Sequence, residues 1–157
     1  MRCRLLLLPV LLALPGCLSV RSAPEPAKPP ARRIIATDRA PAALAAYSQA
    51  IQVGDHLYLA GQIGLDPATR QLVPGGIGAE VRRALDNCKA VLEAAGYTLQ
   101  DVVQVQVLLA DINDYAALNE IYVTYFPKDP PARAAYAVAA LPAGAKVEIL
   151  MTAVKAR

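Results

Sequence analysis

Residues 77–95, IGAEVRRALDNCKAVLEAA, then Gly96, then residues 102–109, VVQVQVLL, decide the fold class. In the first stretch Ile77, Val81, Ala84, Leu85, Cys88, Val91, Leu92 and Ala95 recur at helical spacing, while Arg82, Arg83, Asp86, Lys89 and Glu93 fill the other directions. That period lays one apolar stripe along a helix, and Gly96 is the residue type that ends one. The second stretch carries valine and leucine on both faces, which predicts a buried strand.

Working outward, residues 47–65, YSQAIQVGDHLYLAGQIGL, show two short apolar runs around Val53-Gly54-Asp55. This predicts a hairpin with strands near 49–53 and 56–62. Pro67 and Gly75-Gly76 bracket a loop. Downstream, Asp111 or Asn113 can cap a second helix whose apolar face is Tyr115, Leu118, Tyr122 and Tyr125, and Pro127, Pro130 and Pro131 stop it. Two last strands, about 133–139 and 145–153, are joined by Leu141-Pro142-Ala143-Gly144. The predicted order is β-β-α-β-α-β-β, an α+β domain with both helices on one face of a mixed sheet.

The chain has 157 residues, 55% hydrophobic and 18% charged, which fits one ordered domain. Residues 5–16 read LLLLPVLLALPG behind Arg2 and Arg4. A spanning helix needs about 20 apolar residues, so a basic start and a short apolar run predict an export signal over 1–16. Leu14, Gly16 and Cys17 resemble a bacterial lipobox, with Pro15 departing from it. The resemblance implies lipidation of Cys17, a membrane anchor and a position on the periplasmic side, with the outer membrane open because Leu18 is not Asp. Residues 17–33, rich in proline at 24, 26, 29 and 30, predict a semi-extended tether, and the folded domain is expected over 34–157. Without Arg2 and Arg4 the chain carries 14 basic against 13 acidic residues, or +1. That balance gives no electrostatic footprint for nucleic acid.

Familiar chemistry is missing. His56, the single histidine, follows Gly54-Asp55 at a turn and reads as solvated, without partners at metal-ligand spacing. There is no phosphate loop and no nucleophile elbow. Two charges stand out inside apolar strands, Arg133 in PPARAAYAV and Glu148 in AKVEILMTAV. One reading is structural: a buried Arg–Glu pair, or two edge residues facing solvent. The other is a site, with Arg133 as a planar fork for a carboxylate, Glu148 holding and deprotonating a water, and Tyr47 supplying a hydroxyl.

The segments ATDRAPAALAAYSQAIQVGDHLYLAGQIGLDP, GGIGAEVRRALDNCKAVLEAAGYTLQDVVQVQVLLADINDYAALNEIYVTYF and PPARAAYAVAALPAGAKVEI resemble the RidA (YjgF) family from about Ile34 to Val154. The resemblance implies a chorismate-mutase-like fold, a homotrimer with ligand clefts between subunits, and a cofactor-free enamine/imine deaminase. Such an enzyme hydrolyses 2-iminopropionate, formed from 2-aminoacrylate, to pyruvate and ammonia. By the same resemblance Arg133 matches the carboxylate-binding arginine, Glu148 the glutamate that positions water, and Tyr47 the tyrosine lining the cleft. Gly61 matches a glycine whose backbone lines the pocket, Asn119 an asparagine near the cleft, and the Ala135 N–H a second donor to the carboxylate.

This chain departs from the family pattern at four places: Ala45-Ala46 before Tyr47 in place of Gly-Pro, Ala60 in place of Ser, Ala134 in place of Ser or Thr, and Ala135 in place of Cys. The site is more apolar than usual, and a thiol mechanism is impossible at 135. Two competing readings stand beside the deaminase. One is a non-catalytic trimer that binds small carboxylates. The other is an endoribonuclease, against which the near-neutral charge and the lone histidine count.

Overall fold

The computed structural model describes residues 30–155; the signal segment, Cys17 and all but the end of the tether lie outside them. The domain is one seven-stranded mixed sheet with two helices. Its strands are β1 (Arg32–Ile35), β2 (Ala50–Val53), β3 (His56–Leu59), β4 (Gln62–Ile63), β5 (Val102–Leu109), β6 (Ala132–Ala137) and β7 (Val147–Val154). The helices are α1 (Gly76–Ala94), between β4 and β5, and α2 (Tyr115–Tyr125), between β5 and β6. The strands lie in the order β1-β2-β3-β7-β5-β6, with β4 also on β7, and only β5–β6 is parallel.

The expected elements are present within a few residues at their ends, with two differences. Strand β1 starts at Arg32, inside the stretch read as tether, because pairing with β2 satisfies its backbone while its arginines stay at the surface: Arg33 donates to Gln52 Oε1 at 2.6 Å. The strand expected over 56–62 is broken at Ala60-Gly61 into β3 and β4, both lying along β7.

Side-chain parity separates the sheet into two unlike faces. On β7, Val147, Ile149, Met151 and Ala153 are buried, and on β5 Val105, Val107 and Leu109 are. These pack with Val81, Leu85, Cys88, Val91 and Leu92 of α1 and Leu118 and Tyr122 of α2 in one core. Among the described residues the opposite face carries no helix. Ile34 (59% exposed), Tyr58 (49%) and Tyr136 (43%) stand on it, and register puts Ile51, Gln106, Leu150 and Thr152 beside them.

Polar groups on α1 fix the short strand β4 over this core. The buried Asn87 Nδ2 donates to the carbonyls of Ile63 (3.2 Å) and Leu65 (2.9 Å). The buried Glu80 carboxylate accepts from Lys146 N–H at 2.8 Å, just ahead of β7. Gly64 lies against Glu80 itself: a Cβ there would stand 2.8 Å from the Cα, Cβ and Cγ of that residue. Helix backbone cannot swing aside as a side-chain tip can. Gly64→Ala should therefore cost about 1–3 kcal/mol of stability, read as a lower urea midpoint at unchanged slope.

Candidate active site

The expected site residues fall into two groups. Arg133 leaves β6 on the helix side of the sheet, since it pairs with Val105, whose side chain is buried under the helices. Three residues of α2 and its start hold it. Its Nη2 donates to Asn119 Oδ1 at 2.7 Å and to the Tyr115 hydroxyl at 3.0 Å. Its Cζ lies 4.4 Å from the centre of the Tyr122 ring and 5.5 Å from that of Tyr115. Among the described residues Nε and Nη1 have no hydrogen-bond partner, so three N–H donors remain for a ligand. A cavity of about 330 Å³ opens beside the guanidinium, walled by Val123, Phe126, Pro130 and Pro131. Ala135, two residues along β6, shares the Arg133 face and packs partly buried against the core.

Glu148, Gly61 and Tyr47 form the second group, around a cavity of about 530 Å³ that Leu44, Ile63, Leu65 and Pro142 also line. Glu148 pairs with Ile63 across β7–β4 and with Leu108 across β7–β5, which puts it on the helix-free face. Its carboxylate makes no hydrogen bond or ion pair with the described residues. Partial burial with no compensating partner holds its carboxyl above the ordinary range. Tyr47, half exposed, reaches the cavity from the loop before β2.

Gly61 is what makes room for the carboxylate. A Cβ at 61 would run into Glu148 Oε1 and stand 2.6 Å from Cδ. The obstructing group is the end of a flexible side chain, so it turns away at little cost in stability but loses its aim. Gly61→Ala should leave the urea midpoint nearly unchanged and reduce turnover about 10- to 100-fold, the scale of a reacting group displaced by about 1 Å.

Within one chain an Arg133–Glu148 ion pair, one of the two structural readings of these charges, is excluded. In register, Arg133 lies opposite Val105 and Glu148 opposite Leu108, an odd offset that puts them on opposite faces with β5 between their strands. Within one chain Arg133 meets Asn119, Glu148 meets Gly61, and the two groups do not meet. The lone His56 is exposed at the β2–β3 turn, 6.3 Å from Tyr58 ring to ring.

Sequence reasoning missed the role of Tyr115 and Tyr122, assigning both to an apolar face. Leu118 and Tyr122 are buried, but Tyr115 is exposed and Tyr125 donates to the Asp86 carboxylate at 2.7 Å. The available signal was the spacing of Tyr115, Asn119 and Tyr122, four and three residues apart, which makes one helix stripe. Burial pushes the Tyr122 hydroxyl up to about 12, so it stays neutral.

The family described as Endoribonuclease L-PSP matches residues 37–155. The chain is 54% identical over 124 residues to the rat 2-iminobutanoate/2-iminopropanoate deaminase, covering 79% of this chain and 90% of that one. The human protein of the same name is 51% identical over 124 residues, with the same coverages. Among solved structures, RidA from Psychrobacter sp. PAMC 21119 superposes with a TM-score of 0.76 at 46% identity, covering 78% of this chain and 99% of that one. TdcF from E. coli with bound serine gives 0.76 at 35% identity, covering 79% and 99%. The family match over most of the domain, the identity to these relatives and the superposition on these structures agree on one assignment: the chain belongs to the endoribonuclease L-PSP family, the RidA (YjgF) family of imine deaminases and their relatives.

Proposed function

We propose that the protein is a deaminase of 2-imino acids, hydrolysing 2-iminopropionate and related imines to the 2-oxo acid and ammonia. The observation that carries this reading is a pair of unlike groups among the described residues: a guanidinium with free donors beside a cavity, and a carboxylate that no described residue pairs with, lining another. Relatives at about half identity bear the name of this activity.

Arg133 holds the substrate carboxylate. The protonated imine carbon is electrophilic. Glu148 accepts a proton from water as its oxygen bonds to that carbon. The resulting carbinolamine takes that proton back from Glu148 on its nitrogen, its C–N bond breaks with the electron pair leaving on ammonia, and the hydroxyl gives its remaining proton to Glu148 as its oxygen becomes the carbonyl of the oxo acid. Positioning and electrostatics supply the acceleration, and no side chain is covalently modified.

Because Arg133 and Glu148 lie on opposite faces, the complete site takes Arg133 from one subunit and Glu148 from the next. The helix-free face of the sheet, with Ile34, Tyr58 and Tyr136 exposed, is the surface that a homotrimer would cover. Sedimentation of residues 31–157 should give three times the monomer mass; a monomer active at full rate would remove this arrangement. Export belongs to the same proposal and rests on the sequence of residues 1–17, with Cys17 as the lipid anchor; mass spectrometry of the mature N-terminus tests it.

The deciding assay generates 2-iminopropionate with an amino-acid oxidase and lets semicarbazide compete for it. The domain should suppress the semicarbazone. No suppression, across imines of several amino acids, would leave the non-catalytic carboxylate-binding reading. RNA cleavage that survives Arg133→Ala and further purification would instead favour the ribonuclease that the family's description names.

A further inference from the structure

We infer that Tyr122 is a positioning residue for Arg133, with the face of its ring serving as the platform that holds the guanidinium flat toward the ligand. The inference rests on Arg133 as the carboxylate clamp, and extends that reading to a residue sequence analysis placed in the core.

The geometry is specific. Arg133 comes from β6, an edge strand, and its side chain must cross to α2. Two hydrogen bonds from the same nitrogen, to Asn119 and Tyr115, fix one corner of the guanidinium. Bonds at one corner leave the plane free to pivot about it. The Tyr122 ring, 4.4 Å below Cζ, removes that freedom. The ring is itself immobilised, since Tyr122 is 6% exposed and its centroid lies 4.7 Å from that of Phe126. A guanidinium held at one corner and against one face presents its remaining N–H donors in a fixed direction.

The hydroxyl identifies which part of Tyr122 matters. It is buried and has no hydrogen-bond partner in the described structure. Burying an unpaired hydroxyl destabilises relative to phenylalanine, so the hydroxyl supplies neither a bond to Arg133 nor one to the fold. What Arg133 meets is the ring face, which phenylalanine also provides.

The test measures binding of pyruvate, the expected product, by titration calorimetry, together with KM and kcat for 2-iminopropionate, on the full domain. Tyr122→Leu should weaken pyruvate binding and raise KM by about 3- to 30-fold, the range of a partly desolvated cation–π contact, with kcat changed less because the clamp acts in ground and transition states alike. Tyr122→Phe should restore most of the affinity. Leu118→Ala, a buried change on the same helix at a residue that makes no hydrogen bond or ring contact with Arg133, controls for general loosening; each variant is measured where circular dichroism shows it folded. Unchanged affinity in Tyr122→Leu, or an equal loss in Leu118→Ala, overturns the inference. Arg133-dependent pyruvate binding with no imine turnover would remove the deaminase reading and leave the platform standing. Failure of the wild type to bind pyruvate would overturn the clamp and with it the platform, and imine turnover by the same protein would still uphold the deaminase reading.

Discussion

Arg133→Ala is expected to lower kcat/KM for 2-iminopropionate by about 100- to 1,000-fold, the scale of one or two charge-assisted hydrogen bonds lost at a partly dry site. The substrate offers few handles: a carboxylate, a C=N group and one methyl. The carboxylate is the only permanent charge among them, and Arg133 carries the cation with uncommitted N–H donors that faces a cavity from α2 and β6. Loss of the side chain should cost the fold little, because β6 is an edge strand and the partners left behind, Asn119 and the exposed Tyr115, can turn to water. Arg133→Lys keeps charge but not the planar fork, and should recover only part of the activity. The semicarbazide competition assay reads all three proteins. If Arg133→Ala works within threefold of the wild type, the carboxylate is held elsewhere and the two-subunit site loses its basis.

How far such a site is legible in sequence depends on which physical signal each residue leaves. The stripe from Ile77 to Ala95 and the run Val102–Leu109 state their structures directly, because burial imposes a period and both segments are long enough to show it. Strand β1 leaves no such mark: its Arg32 and Arg33 continue the composition of the tether, and only pairing with β2 makes them a strand. The break at Ala60-Gly61 is equally silent, since it serves a carboxylate 87 residues away in sequence, on β7. Arg133 and Glu148 are conspicuous as charges among apolar neighbours, which marks them as residues with a purpose. Their separation is not visible. It depends on the register of β6 and β7 against β5, and a shift of one residue in either would put both on one face. The resemblance to the RidA family supplied the pairing of roles that spacing could not.

Glu148→Gln separates the catalytic role proposed for this carboxylate from its effect on stability, and the two should move in opposite directions. Burial raises the folded-state pKa of Glu148 above the ordinary glutamate value of 4.5, with no partner among the described residues to offset it. Between that value and the raised one, the native protein binds more protons at this site than the unfolded chain. Stability therefore falls as pH rises through the window, and above it the native state carries the full cost of a half-buried, unpaired charge. Glutamine removes the charge at nearly constant shape. The variant should then melt at or above the wild-type temperature at neutral pH, with the difference closing as pH falls below about 4.5, where both side chains are neutral. Turnover should behave otherwise. A general base is needed in its ionised form, so wild-type kcat/KM should fall on the acid side with a midpoint above that of an ordinary glutamate. Glutamine cannot accept the proton, and the variant should lose about 100- to 10,000-fold, the usual contribution of such a base, with the acid limb gone from what remains. A variant that is both inactive and less stable at neutral pH would show that the carboxylate is held by an ion pair absent from the single chain, and Glu148 would then be a structural anchor at the subunit boundary. A variant that keeps its activity would assign the water to another group, and Tyr47, the remaining hydroxyl in the same cavity, would be the next residue to replace.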